Sequence, residues 1–363
     1  MRCKTNVLLN SFMDFEQRKS AFVALGQELS EALRLKDRPE NLNIRQQQLL
    51  EIGKSLHQFN GWFTPFHVEN ALKGISLILQ KESLDLWLSS YLFDVTSPKT
   101  VGIVMAGNIP AVGFHDFLCV LLSGHQAKIK LSSVDSVLIP ALAAMLSAIE
   151  PRFAERIHFT SERIGTVDAI IATGSNNSSR YFEYYFGKYP NIIRKNRTSV
   201  AVIKPDESSD NMEKLYKDIF LYFGMGCRNV TKLFVPETFD FIRFLDGAEK
   251  WNYLSENNKY MNNYNYNKAI YLVNGIAHYD NGFILLKADS GLHPPVSVLY
   301  YETYNNPELL RKQISEIRSN LQCIVSSDSS VAENTVSFGN TQFPGPADYA
   351  DNIDTIKFLL GLS

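Results

Sequence analysis

Beyond about residue 99 the chain alternates short apolar runs with amphipathic stretches, and no feature restricts its fold more. Val101–Met105 precedes a segment of helical spacing over about 111–123, and Ala127–Leu131 precedes another over about 134–149. The runs Ala169–Ala172 and Val200–Ile203 continue the series. A strand followed by a helix of that length cannot close a hairpin with the next strand, so the pattern predicts an α/β fold with a parallel sheet covered on both faces. A second series follows: a helix over about 209–223, the run Lys232–Val235, helices over about 238–254 and 257–274, strands near Phe283–Leu286 and Val296–Tyr301, a helix over about 307–318 and a strand at Gln322–Ser326.

Ahead of residue 95 the apolar residues recur at helical spacing, as in Phe22, Leu25, Leu29 and Leu33, and Thr64-Pro65 fits the start of a further helix. The Asn/Tyr-rich patch at 262–267 reads as a polar helix surface, and the last residues, with Ile356, Phe358 and Leu359, read as a tail that docks back.

The length of 363 residues suits two to three domains with ample core. Thirty-six basic against 38 acidic residues leave a formal charge of −2, so no global positive field points to nucleic acid. Cys3, Cys119, Cys227 and Cys323 form no Cys-x-x-Cys pair and read as reduced thiols. No apolar stretch approaches the roughly 20 residues that span a bilayer, and the three-residue apolar run after Asn6 is no signal-peptide core, so a cytoplasmic location is expected. No pair of histidines has metal-ligand spacing, and no metal site is expected.

Four segments carry candidate chemistry. In Gly224-Met225-Gly226-Cys227-Arg228-Asn229 a cysteine stands among glycines where helix gives way to strand. It suits a nucleophile whose thiolate is favoured by Arg228 or by helix-end N–H groups, or else a small buried hydrophobe, a reading that fits Cys119 and Cys323 better. Gly107-Asn108-Ile109-Pro110 follows the first parallel strand, where ligands bind in open sheets; its neutral amide suits an oxyanion donor, or an ordinary strand exit. Lys130, with Ser132 and Ser133 beyond it, suits a ribose or phosphate contact, or a solvated strand end. Gly174-Ser175 opens a helix after a strand and suits a phosphate, or a plain N-cap. His115 and His125 are as well explained by packing; His293, before Pro294-Pro295, is a candidate site-lining residue. Neither the Gly-x-Gly-x-x-Gly nor the Gly-Lys-Ser/Thr fingerprint occurs.

Taken in order, these segments resemble the aldehyde dehydrogenase superfamily, and within it the LuxC-like acyl-CoA reductases. Asn60-Gly61-Trp62-Phe63-Thr64, Arg194-Lys195-Asn196-Arg197-Thr198-Ser199-Val200 and Asp348-Tyr349-Ala350-Asp351-Asn352 extend the likeness over nearly the whole chain. The resemblance implies an aldehyde dehydrogenase-like architecture: a helical N-terminal section and Rossmann-like cofactor domain over 1–204, an α/β catalytic domain over 205–337, and a docking tail over 338–363. It implies Cys227 as nucleophile, Asn108 and the Cys227 N–H as oxyanion donors, and Gly107, Lys130, Ser132, Gly174 and Ser175 around the cofactor. Where hydrolytic relatives carry Glu-Leu-Gly-Gly this chain has Arg194-Lys195-Asn196-Arg197, and their Glu-x-Phe-Gly-Pro clamp stands as Gly291-Leu292-His293-Pro294-Pro295.

A chain without the water-activating carboxylate is expected to reduce an acyl-CoA thioester to the aldehyde, with Lys195, Arg197 and Arg228 near the coenzyme phosphates, and the resemblance implies NADPH as reductant. The rival expectations are an NAD(P)-linked aldehyde dehydrogenase running toward acid, and a non-catalytic acyl-binding subunit. The expected partners are an acyl-CoA or acyl-protein thioester, with an acyltransferase or synthetase protein and further copies of the chain left open, and neither nucleic acid nor a membrane span.

Overall fold

The computed structural model describes residues 13–95 and 97–362, so Cys3 lies outside the described residues. The chain divides into two compact units, the first running through Lys195 and resuming at Pro344, the second covering Asn196–Phe343.

The first unit opens with α1 (Phe15–Arg34), α2 (Ile44–Ser55), α3 (Pro65–Ile78) and α4 (Lys81–Leu88). Local chemistry sets their starts. Asp14 and Asn43 each accept the N3 backbone N–H, and Gln17 and Gln46 return a bond to the cap N–H, closing two capping boxes. Thr64 caps α3 ahead of Pro65 at the first helical position, where the missing N–H costs nothing.

Strands β1 (Thr100–Val104), β2 (Gln126–Lys130), β3 (Ile157–Thr160), β4 (Ala169–Thr173) and β5 (Asn191–Arg194) then form a parallel sheet ordered β3-β2-β1-β4-β5. Helices α5 (Phe114–Leu122), α6 (Leu138–Ile149) and α7 (Asn176–Phe186) follow β1, β2 and β4. The chain runs outward from β1 to β3 and returns on the other side of β1, so the strand order reverses between β1 and β4. The edge strands β3 and β5 escaped the sequence pattern because Ile-His-Phe-Thr and Asn-Ile-Ile-Arg mix apolar with polar residues.

Val101, Ile103, Ala127 and Ile129 pack with Phe22 and Leu25 of α1 and with Phe117 and Leu121 of α5 in one core. The C-terminal helix α12 (Thr355–Leu360) seats Ile356 and Leu359 in that same core. Polar bonds fasten it: Trp87 Nε1 donates to the Tyr349 hydroxyl at 2.9 Å, and the Tyr91 hydroxyl to Asp354 at 2.9 Å. His125 belongs to this fastening. Its Nδ1 accepts the Lys99 N–H, which leaves Nε2 to donate to the Leu359 carbonyl at 2.9 Å, and burial lowers its pKa so that it stays neutral. His115 is likewise structural, with Nε2 at 2.8 Å from the Pro346 carbonyl and its ring against Trp87 and Tyr349.

Arg194, at the end of β5, is buried against Asp116 on α5 and donates to the Thr355 hydroxyl at 3.0 Å. Burial opposes the Arg194 charge, but Asp116 outweighs it and holds the guanidinium pKa above its ordinary value.

In the second unit, β6 (Thr198–Val202), β7 (Val230–Pro236), β8 (Tyr279–Asp280), β9 (Leu285–Ala288), β10 (Val298–Tyr304) and β11 (Leu321–Val325) form a sheet ordered β11-β6-β7-β10-β9-β8, antiparallel only between β8 and β9. The Val200–Ile203 run, which the sequence pattern attaches to the first series, is β6 of this sheet. Helices α8 (Ser209–Phe220), α9 (Phe241–Gly247), α10 (Asn258–Val273) and α11 (Pro307–Ile317) connect the strands. The Asn/Tyr patch lies on α10, but it is no polar surface throughout: Tyr264 and Asn267 are buried, and Tyr264 packs with Tyr271, Leu285 and Val298. Residues 337–343 stay with this unit, because the buried Asp218 carboxylate accepts the N–H groups of Gly339 and Thr341 at 2.6 and 3.1 Å.

Removing one partner of a buried ion pair strands the other charge, so Asp116→Ala should lower the unfolding free energy by roughly 3–5 kcal/mol. Replacing both partners, as Asp116→Leu with Arg194→Met, should recover most of that loss; urea denaturation of the two variants checks it.

Candidate active site

The cysteine at 227 is placed by an unusual exit from α8. After Phe220 the backbone turns through Tyr222 (φ 57°), Phe223 (φ 57°) and Gly224 (φ 73°). Glycine enters the left-handed region freely, but an aromatic residue there costs about 1–2 kcal/mol. Both aromatic side chains are buried, which offsets part of that strain. The turn brings Cys227 to the start of β7 as an exposed thiol, whereas Cys119 and Cys323 are buried. Burial and the Asp116 charge push the Cys119 thiol pKa well up, away from thiolate.

Cys227 lines a cavity of about 220 Å³ with Met225 and Gly226, Arg197 and Thr198 at the start of β6, and His293 ahead of β10. The pairing register slips by one residue between β6 and β7 at Ser199/Val200, beside this cavity. Such a slip redirects side chains next to a site. The Thr231 hydroxyl donates to the Leu292 carbonyl at 2.9 Å and meets the Thr198 hydroxyl at 2.5 Å, tying the His293 segment to the two strands. Partial burial lowers the His293 pKa below its ordinary value, so its imidazole is neutral at pH 7 and equipped to accept a proton.

Each of the three expected phosphate-binding cations has a local partner. Lys195 belongs to the first unit and pairs with Glu183 at 3.0 Å on the surface. Arg228 Nη1 donates to Cys323 Sγ at 3.3 Å and to the Thr341 carbonyl at 3.4 Å. Arg197 lines the cavity and donates to the Leu321 carbonyl at 3.4 Å.

In the first unit the candidates follow the carboxyl ends of β1, β2 and β4, about the point where the strand order reverses. Gly107 is pressed against the next loop: a Cβ there would stand 2.5 Å from Ser132 Oγ. Any side chain at 107 would therefore separate the Asn108 loop from Ser132. Ala111, at the far end of the Asn108 loop, has φ 54° and donates its N–H to the buried Asp135 carboxylate at 2.8 Å. Asn108 itself is exposed. Lys130 ends β2, and its ammonium makes no hydrogen bond or ion pair among the described residues. Ser175 caps α7 by accepting the Ser178 N–H at 3.2 Å, and a Cβ at Gly174 would stand 2.8 Å from both Phe182 and Ser178. The N-cap reading of Ser175 is thus realised, and it leaves the first-turn N–H groups of an eleven-residue helix at a sheet crevice.

A cation without a partner, an open helix N-terminus and close-packed glycines at the strand-order reversal fit a dinucleotide. Lys130, Ser132, Gly174 and Ser175 are the residues that would hold it. Asp135, Ser199 and Thr231 were missed by sequence reading. A buried acid or hydroxyl that only anchors backbone carries no local motif, and the signal open to inspection was its place beside a candidate loop. Among the described residues no three His, Cys, Asp or Glu side chains cluster as metal ligands, and no helix is long and apolar enough to cross a membrane.

The family described as acyl-CoA reductase (LuxC) matches residues 25–243. No curated protein matches the chain. Among solved structures, aldehyde dehydrogenase 21 from Physcomitrella patens, in complex with the product succinate, is similar with a TM-score of 0.65 at 13% identity, covering 98% of this chain and 85% of its own. HpcC from Thermus thermophilus gives 0.62 at 11% identity over 90% and 72%. A mutant of the P. syringae indole-3-acetaldehyde dehydrogenase AldA, in complex with NAD+ and IAA, gives 0.61 at 12% identity over 88% and 74%. At these identities the likeness shows the fold, which is that of the aldehyde dehydrogenases.

Burial pushes the Asp135 pKa up to about 6, against the Ala111 and Leu138 N–H groups that lower it. Its ordinary value is near 3.8, so between about pH 4 and 6 the folded chain binds more protons than the unfolded one, and stability falls as pH rises through that window. Asp135→Asn should flatten this fall, read as the change in urea midpoint between pH 4.5 and 6.5 in the two proteins.

Proposed function

This chain belongs to the LuxC acyl-CoA reductase family, oxidoreductases that work at the aldehyde level, and from that membership we propose that it reduces a fatty acyl thioester to the aldehyde with NADPH, through an acyl group carried on Cys227. The observation that supports the reading best is the position of Cys227: the exposed thiol stands in a cavity at the start of β7, on a strained loop, while Cys119 and Cys323 are buried.

The Cys227 sulfur attacks the acyl carbonyl after giving up its proton, for which His293 in the same cavity is the proposed acceptor. The carbon–sulfur bond to the coenzyme breaks and CoA leaves as the thiol, taking the proton held by His293, so the acyl group passes to Cys227 without a change in oxidation state. The Asn108 amide and the Cys227 N–H are the proposed donors to the oxyanion. NADPH, when bound, supplies the hydride that the thioester carbon takes up. Lys130 and Ser132, with the turn at Gly174 and Ser175, are proposed to hold it, and Gly107 keeps the Asn108 loop close to Ser132. Collapse of the reduced adduct then breaks the carbon–sulfur bond, releases aldehyde and leaves Cys227 as a thiolate, which takes one proton from solvent to restore the thiol.

The segment where hydrolytic relatives carry their water-activating carboxylate supports reduction over hydrolysis. Here it holds Arg194, locked to Asp116, followed by Lys195, Asn196 and Arg197, none of which can activate water as a carboxylate does.

Incubated with a panel of acyl-CoA esters, the protein should gain one acyl mass on the Cys227 peptide and oxidise NADPH. Cys227→Ala should abolish both, Cys323→Ala should leave them largely intact, and Asn108→Ala should lower turnover roughly 10²–10³-fold. Acid formed from aldehyde without CoA, or neither adduct nor NADPH binding, would overturn the proposal.

A further inference from the structure

Cys227 and Arg228 are the two central residues of a tight turn, and both ends of that turn are held by one side chain. The Asn229 N–H donates to the Gly226 carbonyl at 3.0 Å, and the Gly226 N–H donates to Asn229 Oδ1 at 2.8 Å. The amide's other end reaches back to α8: Nδ2 donates to the carbonyls of Asp218, Ile219 and Leu221 at 3.0, 3.2 and 2.8 Å. Asn229 is wholly buried. It therefore takes up carbonyls that the end of a helix leaves without partners, and it closes the left-handed run at 222–224 into a ring with the cysteine on its rim.

A second buried polar group holds the far side. Ser199 lies where the β6 register slips against β7, and where β11 also slips against β6. Its hydroxyl donates to the Cys227 carbonyl at 3.0 Å and accepts the Cys323 N–H at 3.1 Å. Ladder bonds interrupted by the two slips are thus replaced by one side-chain oxygen, which ties the cysteine's peptide to the edge strand β11.

We infer that Asn229 is the positioning residue of Cys227, with Ser199 its counterpart on the sheet side: together they fix the direction in which the thiol and the adjoining peptide N–H groups face the cavity. Neither touches the reacting atoms. The inference rests on the proposed reaction for what the thiol does, and on hydrogen bonds alone for how it is held. Misplacement of a reacting group by about 1 Å can lower a rate by about 10²-fold, which sets the scale of the effect.

Two measurements on the full chain test it in Asn229→Ala and in Ser199→Ala, the milder change should the first fold poorly. Acylation of Cys227 by acyl-CoA, followed by intact mass, should slow by about 10²-fold in Asn229→Ala while the final adduct still reaches one per chain. Alkylation of the Cys227 peptide by iodoacetamide across pH should change in rate and in apparent pKa in both variants. A purely stabilising role would give fewer reactive chains at the wild-type rate, and that result overturns the inference, as does an unchanged alkylation profile in both variants. If the wild-type protein forms no acyl adduct but the alkylation profiles change, the positioning role stands and the proposed reaction falls.

Discussion

A parallel strand cannot be joined to its neighbour by a tight turn, and both units are built around that constraint. Each strand must be followed by a connection long enough to return over the sheet, so loops collect at the strand ends and helices cover the faces. In the first unit this gathers Gly107-Asn108, Lys130 with Ser132, and Gly174-Ser175 at the carboxyl ends of β1, β2 and β4, around the reversal of strand order. In the second unit the candidate nucleophile stands at the opposite kind of edge, ahead of β7, and reaches it only because the backbone leaves α8 through three left-handed residues.

Holding such loops requires buried polar groups that bond to the chain at the points that shape them. Asp135 receives the Ala111 N–H beneath the Asn108 loop, Asn229 and Ser199 bracket Cys227, Thr231 holds the His293 segment, and Asp218 takes the N–H groups of residues 339 and 341. An unpaired group in any of these places would cost about 1–3 kcal/mol, so the same bonds that give the loops their shape make that shape rigid. The candidate residues Cys227 and Asn108 are exposed, and the supports beneath them are buried.

The fold was largely legible in the chain. Thr64-Pro65 marked the start of α3, apolar runs located the central strands, and Cys227 stood out among its glycines. What escaped notice were groups whose role depends on distant partners. Arg194 reads as part of the segment that stands in place of Glu-Leu-Gly-Gly but is a buried partner of Asp116; His125, which the sequence left open to packing, pins the C-terminal helix; Tyr264 reads as surface but is core. Edge strands β3 and β5 carried too little apolar signal to register.

The sequence alone settled the alternation of strand and helix, the starts of α3 and α7 and the family, because period, capping and motif order depend on neighbours a few residues apart. Only the tertiary structure decided that β6 belongs to the second sheet, that Lys195, Arg197 and Arg228 serve separate local partners, and that Asn229 and Ser199 clasp Cys227. Those relations join residues from 3 to 124 positions apart, and at the longer separations spacing along a chain carries no information about contact. What fixes them is the cost of leaving a buried donor or acceptor without a partner in the folded packing.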